Sequence, residues 1–168
     1  LAVPNLTAGS RFADAEESEV YELGIKGNWG PAQVNFAAFR QTITGFQSNI
    51  FTGTGFFLAN AGEQQVTGFE FDGTVFPVEP LMLRLALTYL DAEYTDFQQS
   101  GVGDLTGQNV AGVPPIALTM SGQYTHEFGN GAQLIARSAY HYESAVEVIE
   151  GLPGFIDLGQ EAAIGAVR

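Results

Sequence analysis

Few residues in this chain are of types that could do chemistry. Glu70 and Asp72 stand two apart in an alternating segment, so they share one face of a strand. Paired carboxylates can perform acid–base work when they share a substrate cleft and have shifted pKa values. Without a cleft, the same pair is simply a polar strand face. His126 and His141 are the only histidines. They fall at opposite ends of their strands, too far apart to converge within about 2 Å of one metal ion. The acids Asp14, Glu16, Glu17 and Glu19 could attract a cation, or could form a solvated loop edge. Asn5-Leu6-Thr7 matches a short glycosylation pattern. Gly53-Thr54-Gly55 reads as a flexible loop tip, and no phosphate-binding loop or nucleophile elbow is present. The reading is therefore of a non-enzyme with no cofactor, no metal site and no catalytic residue.

Composition points the same way. There are 19 acidic and 6 basic residues among 168, a formal net charge of −13. That balance argues against a nucleic-acid partner. The absence of cysteine excludes disulfides and thiolate-held metals. Glycine numbers 21, well above the usual share of about 7 %, and charged residues make up only 15 %. Thirteen Phe and six Tyr rule out a disordered acidic chain.

The elements that must position these residues are strands. Period-two alternation predicts six of them, at about 18–30, 33–46, 64–76, 80–94, 114–127 and 131–144. Leu81, Leu83, Leu85, Leu87 and Tyr89 form one face, with Arg84 on the other. Phe69, Phe71 and Val75 oppose Glu70 and Asp72 in the same way, and Arg84 can reach one of those carboxylates across the hairpin. In 33–46 the apolar set Val34, Phe36 and Ala38 runs into Arg40, for which a bulge is the expected cause. Short Gly/Pro turns at Gly30-Pro31-Ala32, Pro77-Val78-Glu79-Pro80 and Gly129-Asn130-Gly131 alternate with long connections at 47–65, 95–113 and beyond Ser144. In the tail, Asp157 could cap a short helix around Glu161-Ala162-Ala163-Ile164.

Long strands with short turns at one end and long loops at the other fit a transmembrane β-barrel wall better than a soluble sandwich. Tyr21, Tyr89, Tyr140 and Tyr142 lie toward the long loops, and Trp29 and Tyr124 toward the short turns, as interfacial aromatics do. On that reading the Leu81–Leu87 face meets lipid and Arg84 meets the lumen.

Five blocks in order strengthen this reading. Tyr21-Glu22-Leu23-Gly24-Ile25-Lys26-Gly27, then Asn35-Phe36-Ala37-Ala38-Phe39 with Gly45-Phe46-Gln47, resemble successive strands of TonB-dependent outer-membrane receptors. So do Asn60-Ala61-Gly62 with Gly68-Phe69-Glu70, Tyr89-Leu90-Asp91-Ala92-Glu93-Tyr94, and Leu105-Thr106-Gly107-Gln108 with Pro114-Pro115. The resemblance covers about residues 17–145. It implies an all-β, antiparallel, six-stranded meander that is part of the wall of a 22-stranded barrel. The plug domain and TonB box of the family have no counterpart among these residues.

The resemblance further implies a bacterial outer-membrane location and active import of a scarce nutrient, with a ferric siderophore as the default ligand. Lipid and a small-molecule metal chelate are then the direct partners, with TonB and the plug engaged through the parent protein. Phe51, Phe56 and Phe57 in the 47–65 loop are the candidate ligand contacts. A passive porin and a soluble β-rich binding module are the alternatives. Six strands leave two open edges and an uncovered apolar face, so the 168 residues are not expected to act alone in plain buffer.

Overall fold

The computed structural model describes residues 13–51, 56–98, 100, 103–147 and 166–167, with the backbone alone at 49–51, 56–59 and 166–167. Six long antiparallel strands form a meander: β1 (Glu17–Asn28), β2 (Ala32–Thr44), β5 (Glu63–Val78), β6 (Leu81–Asp96), β7 (Ile116–Glu127) and β8 (Gln133–Glu143). Two short strands, β3 (Gln47–Phe51) and β4 (Phe56–Asn60), make a separate hairpin between β2 and β5. A two-residue strand β9 (Ala166–Val167) pairs with β8.

One expectation changes here. The 47–65 connection is not an open loop, because β3 and β4 pair from Gln47 with Asn60 to Phe51 with Phe56. The helix expected around Glu161-Ala162-Ala163-Ile164 lies outside the described residues, as do Asn5-Leu6-Thr7 and Gly53-Thr54-Gly55. The strand limits also move by one or two residues, since hydrogen-bond pairing rather than alternation fixes where a strand stops.

The short turns follow from local chemistry. Gly30 takes φ 68° and Gly131 φ 83°, values that a side chain with a Cβ resists. Trp29 N–H donates to Ala32 O at 2.8 Å, and Phe128 N–H to Ala132 O at 2.8 Å, closing the two turns. Between β5 and β6 the register slips between Val75 and Val78, where Pro77 cannot donate to the ladder.

Register carries each face across the sheet. Ile25, Phe36, Phe71, Leu87, Leu118 and Tyr142 stand opposite one another in one row through all six long strands. Leu23, Ala38, Phe69, Tyr89 and Ile116 form the next row, with the rings of Phe69 and Tyr89 stacked at 5.4 Å. This face is exposed: Leu23 is 80 % accessible and Ile25 64 %. The opposite face carries Lys26, Asn35, Asp72, Ala86, Thr119 and His141 in one row and Glu70 in the next.

The faces exchange polarity toward the long loops. On the apolar side the row after Leu23 and Tyr89 reads Tyr21, Arg40, Thr67, Asp91, followed by Glu19, Thr42, Gln65 and Glu93. On the other side Phe39, Gly68 and Leu90 form a row that ends in Glu22 on β1, and Ala92 and Tyr94 carry the apolar character onward along β6. The expected bulge at Arg40 is therefore absent: β1–β2 and β2–β5 pair without a shift through that residue. Arg40 interrupts the apolar series because the face itself turns polar there, and its Nη2 donates to Gln65 Oε1 at 2.5 Å.

Candidate functional site

The long-loop end is where the sheet acquires a core. Phe46, Ala61, Tyr94, Phe97 and Leu105 are buried together, with Ile43 and Val110 packed against them. Phe97 is 1 % accessible, Tyr94 and Leu105 2 %. The Phe46 ring stacks on Tyr94 at 5.4 Å and meets Phe97 edge-on at 5.1 Å, while Tyr94 and Phe97 meet at 5.0 Å. Edge-on and offset pairs of this kind contribute about 0.5–1.5 kcal/mol beyond area burial.

The partners are drawn from segments far apart in sequence. Phe46 lies between β2 and β3, Ala61 between β4 and β5, Tyr94 on β6, and Phe97, Leu105 and Val110 on the connection to β7. The base of the β3–β4 hairpin is tied by Gly45 N–H to Gly62 O at 2.6 Å and Ala61 N–H to Phe46 O at 2.7 Å. Asn60 organises the same point. Its Nδ2 donates to Gly45 O at 2.5 Å and Asp14 O at 3.0 Å, and its Oδ1 accepts Asp14 N–H at 2.7 Å. Glu16 Oε1 accepts Gln47 N–H. Among the acids at 14–19, Asp14 through its backbone and Glu16 through its carboxylate tie down the loop base, while Glu19 accepts the Tyr21 hydroxyl at 2.6 Å on β1.

The 95–113 connection folds back along β6. Tyr94 N–H donates to Gln108 O, Gly107 N–H to Tyr94 O, and Val110 N–H to Ala92 O, all at 2.7–2.9 Å. Leu105 N–H donates to Phe97 O at 3.0 Å, closing an inner loop. Asp104 Oδ1 accepts Thr106 N–H at 2.9 Å. Hydrogen bonds from the Thr106 side chain and backbone hold the Asp104 carboxyl below its ordinary value.

The candidates named from the sequence are distributed as follows. Phe51 ends β3 and stands opposite Phe56 in the hairpin register, and Phe57 stands opposite Ile50. They sit on the hairpin whose base the aromatic cluster holds. Glu70 and Asp72 do share a face, but Asp72 is committed to Arg84, whose Nη2 lies 2.9 Å and Nε 3.1 Å from Asp72 Oδ2. That pairing supports the sheet and leaves no free carboxylate couple. His141 Nδ1 is 2.9 Å from Thr119 Oγ1, and its Nε2 3.1 Å from Glu143 Oε1. His126 stacks edge-on against Phe128 at 4.7 Å, at the other end of the sheet. Sequence reading missed the Phe46–Tyr94–Phe97–Leu105 cluster. A usable signal was present in β6, where Leu90, Ala92 and Tyr94 alternate with Asp91 and Glu93 and so place apolar residues on the face opposite Leu83, Leu85 and Leu87.

Comparison with known proteins agrees with this architecture. The family model described as TonB dependent receptor-like, beta-barrel, matches residues 2–157. Among solved structures, the ferric yersiniabactin uptake receptor from Yersinia pestis is similar at 18 % identity and TM-score 0.64, over 90 % of this chain and 21 % of that one. The siderophore receptor PiuA from Acinetobacter baumannii is similar at 24 % identity and TM-score 0.61, over 84 % of this chain and 20 % of that one. The FrpB iron transporter from Neisseria meningitidis (F3-3 variant) gives 19 % identity and TM-score 0.60, over 90 % of this chain and 23 % of that one. The chain thus spans about a fifth of the length of the structures it matches. With its six-stranded meander, its two oppositely patterned faces and a family match over nearly its whole length, the chain belongs to the TonB-dependent receptor β-barrel family.

Proposed function

We propose that this chain forms part of the barrel wall, and two of the external loops, of a bacterial outer-membrane receptor that imports a ferric siderophore with energy supplied through TonB. The family is one of receptors and transporters rather than enzymes, and its barrels lie in the bacterial outer membrane. The observation that carries the membrane reading is the uncharged apolar face. It runs unbroken from the short turns to the row of Tyr21, Arg40, Thr67 and Asp91. A surface of that extent is aggregation-prone in water and suited to hydrocarbon. The ligand reading rests on the siderophore receptors among the similar structures.

On this reading Leu83, Leu85 and Leu87 meet lipid, while Lys26, Glu70, Asp72, Arg84 and Arg137 line a polar lumen. A hydrated metal chelate is compatible with such a wall, whereas an apolar wall would oppose its passage through the chelate's desolvation cost. The aromatic cluster holds the β3–β4 hairpin and the 97–113 segment at the lumen mouth. Phe51, Phe56 and Phe57 then offer the hairpin's contact area to a ligand. TonB and the plug act on this wall through the rest of the parent protein.

The test uses the full-length receptor in iron-starved cells. Deleting residues 53–57 is expected to weaken binding and uptake of radiolabelled ferric siderophore while the barrel keeps its heat-resistant gel mobility. Unchanged affinity would remove the hairpin from the site. Undiminished ferric siderophore uptake in cells lacking the whole receptor would overturn the functional reading.

A further inference from the structure

The apolar face is not smooth. Between β2, β5, β6 and β7 it holds a depression of about 470 Å³, within the range of roughly 300–1,000 Å³ that small-molecule sites occupy. Gly73 forms its floor, and Val34, Val75, Leu83, Leu85 and Met120 stand around it. Among the described residues three glycines lie on this face, and their surroundings differ. A Cβ at Gly27 would run into the Trp29 indole, so that gap is already filled. At Gly122 a Cβ would meet Leu83 Cδ2 at 3.3 Å. At Gly73 the Phe71 ring stands on one side at 3.0 Å, and the next atom is the Gln33 carbonyl oxygen at 3.9 Å. No side chain other than Phe71 comes within 3.9 Å of that position.

We infer that this depression seats one acyl chain of a phospholipid in the leaflet on the short-turn side of the membrane. The inference rests on the lipid-facing reading proposed above and adds a specific site to it. Three observations select the occupant. The wall is almost wholly carbon, with no converging donors or acceptors to orient a polar ligand. The depression opens onto the same apolar face that the barrel reading assigns to hydrocarbon, so a lipid chain reaches it without crossing water. It also runs from the Gly73–Leu85 row, midway along the apolar series Leu81–Tyr89, to the Val75–Leu83 row beside the β5–β6 turn, and so extends from the middle of the band toward the short turns. Short turns of such barrels are periplasmic, which selects a phospholipid over the glycolipid of the outer leaflet.

The experiment reconstitutes the full-length receptor in vesicles of phosphatidylethanolamine and phosphatidylglycerol carrying a photoreactive group on the acyl chain. Crosslinked peptides are then located by mass spectrometry. Labelling of the segments around Gly73 and Leu85 is expected to exceed that around Leu23 and Leu134 severalfold. Gly73→Leu fills the floor and should bring it down to that background, and Gly73→Ala should give an intermediate loss. The alanine variant carries the test if the leucine variant fails to assemble. Equal labelling along the whole apolar face, or labelling indifferent to both substitutions, overturns the seat and leaves the lipid-facing reading standing. No labelling anywhere on that face overturns the lipid-facing reading itself. A second arm with photoreactive outer-leaflet glycolipid is expected to label the row of Ile116 and Tyr89 and not that of Val75 and Leu83; labelling of Val75 and Leu83 by that probe would overturn the leaflet assignment.

Discussion

The two halves of this sheet use the same strands in opposite senses. From the short turns up to Tyr89, side chains that point one way are mostly apolar and exposed, and those that point the other way are mostly polar, charged or small, with Met82 and Ile135 as exceptions. Beyond Asp91 the outward positions become Arg40, Gln65 and Glu93, and the inward ones become Tyr94 and its buried neighbours. The lower half takes its stability from backbone pairing and from whatever covers its outer face. The upper half owns a core. One alternating strand can serve both because period two assigns faces and not environments.

That contrast gives the predictions, and the largest effect falls in the core. Phe97→Ala should cost about 3–5 kcal/mol of local stability, the usual result of emptying a buried aromatic site. Faster hydrogen exchange should then appear together at the Gln47 and Gly107 amides, at the base of both loops, while β7 and β8 amides stay protected. If only the 97–113 segment loosened, the cluster would not be shared. Next, Leu85→Arg should cost about 2–4 kcal/mol near mid-bilayer, whereas Thr67→Arg on the same face of the neighbouring strand, above the boundary, should cost about 1 kcal/mol or less. Equal penalties in refolding titrations of the receptor would erase the boundary.

Asp72→Asn should cost only about 0.2–1 kcal/mol, because the Arg84 pair is exposed on a strand face; a larger loss would mean the lumen side is drier than its accessibility indicates. The smallest effect concerns Asp104. Its carboxyl is held below the ordinary value near 3.8 by Thr106, so the stabilisation is present above that value and disappears as pH falls through the lowered one. The Thr106 amide should exchange faster below that point, and Asp104→Asn should abolish the pH dependence.

Much of the lower half was legible in the sequence. Leu81 to Tyr89 alternate cleanly, and no buried neighbour competes with that pattern. The diagonal from Arg84 to Asp72 followed from adjacency of the two strands. Arg40 was misread because a change of environment and a bulge leave the same trace in one strand; the difference shows only when Thr67 and Asp91 are found in the same row. The β3–β4 hairpin was missed because two five-residue strands around Gly53 and Gly55 carry too few periods to register. Phe46 and Phe97 lie outside the long strands, so no periodicity marks them, and only the fold brings them within 5.1 Å.

The position of the Arg40–Thr67–Asp91 row has one more consequence, which concerns membrane thickness. On β6 the outward apolar series begins at Leu81 and ends at Tyr89, just before Asp91. At about 3.3 Å per residue that is roughly 26 Å along the strand, and roughly 20 Å along the bilayer normal at a tilt of about 40°. A typical hydrocarbon core is about 30 Å thick, and the bacterial outer membrane is thinner than average. The wall is therefore cut for a thin bilayer. In a thicker one it would have to drag Arg40 and Asp91 into hydrocarbon or pinch the lipid around it, so hydrophobic mismatch alone would favour the membrane in which this family resides.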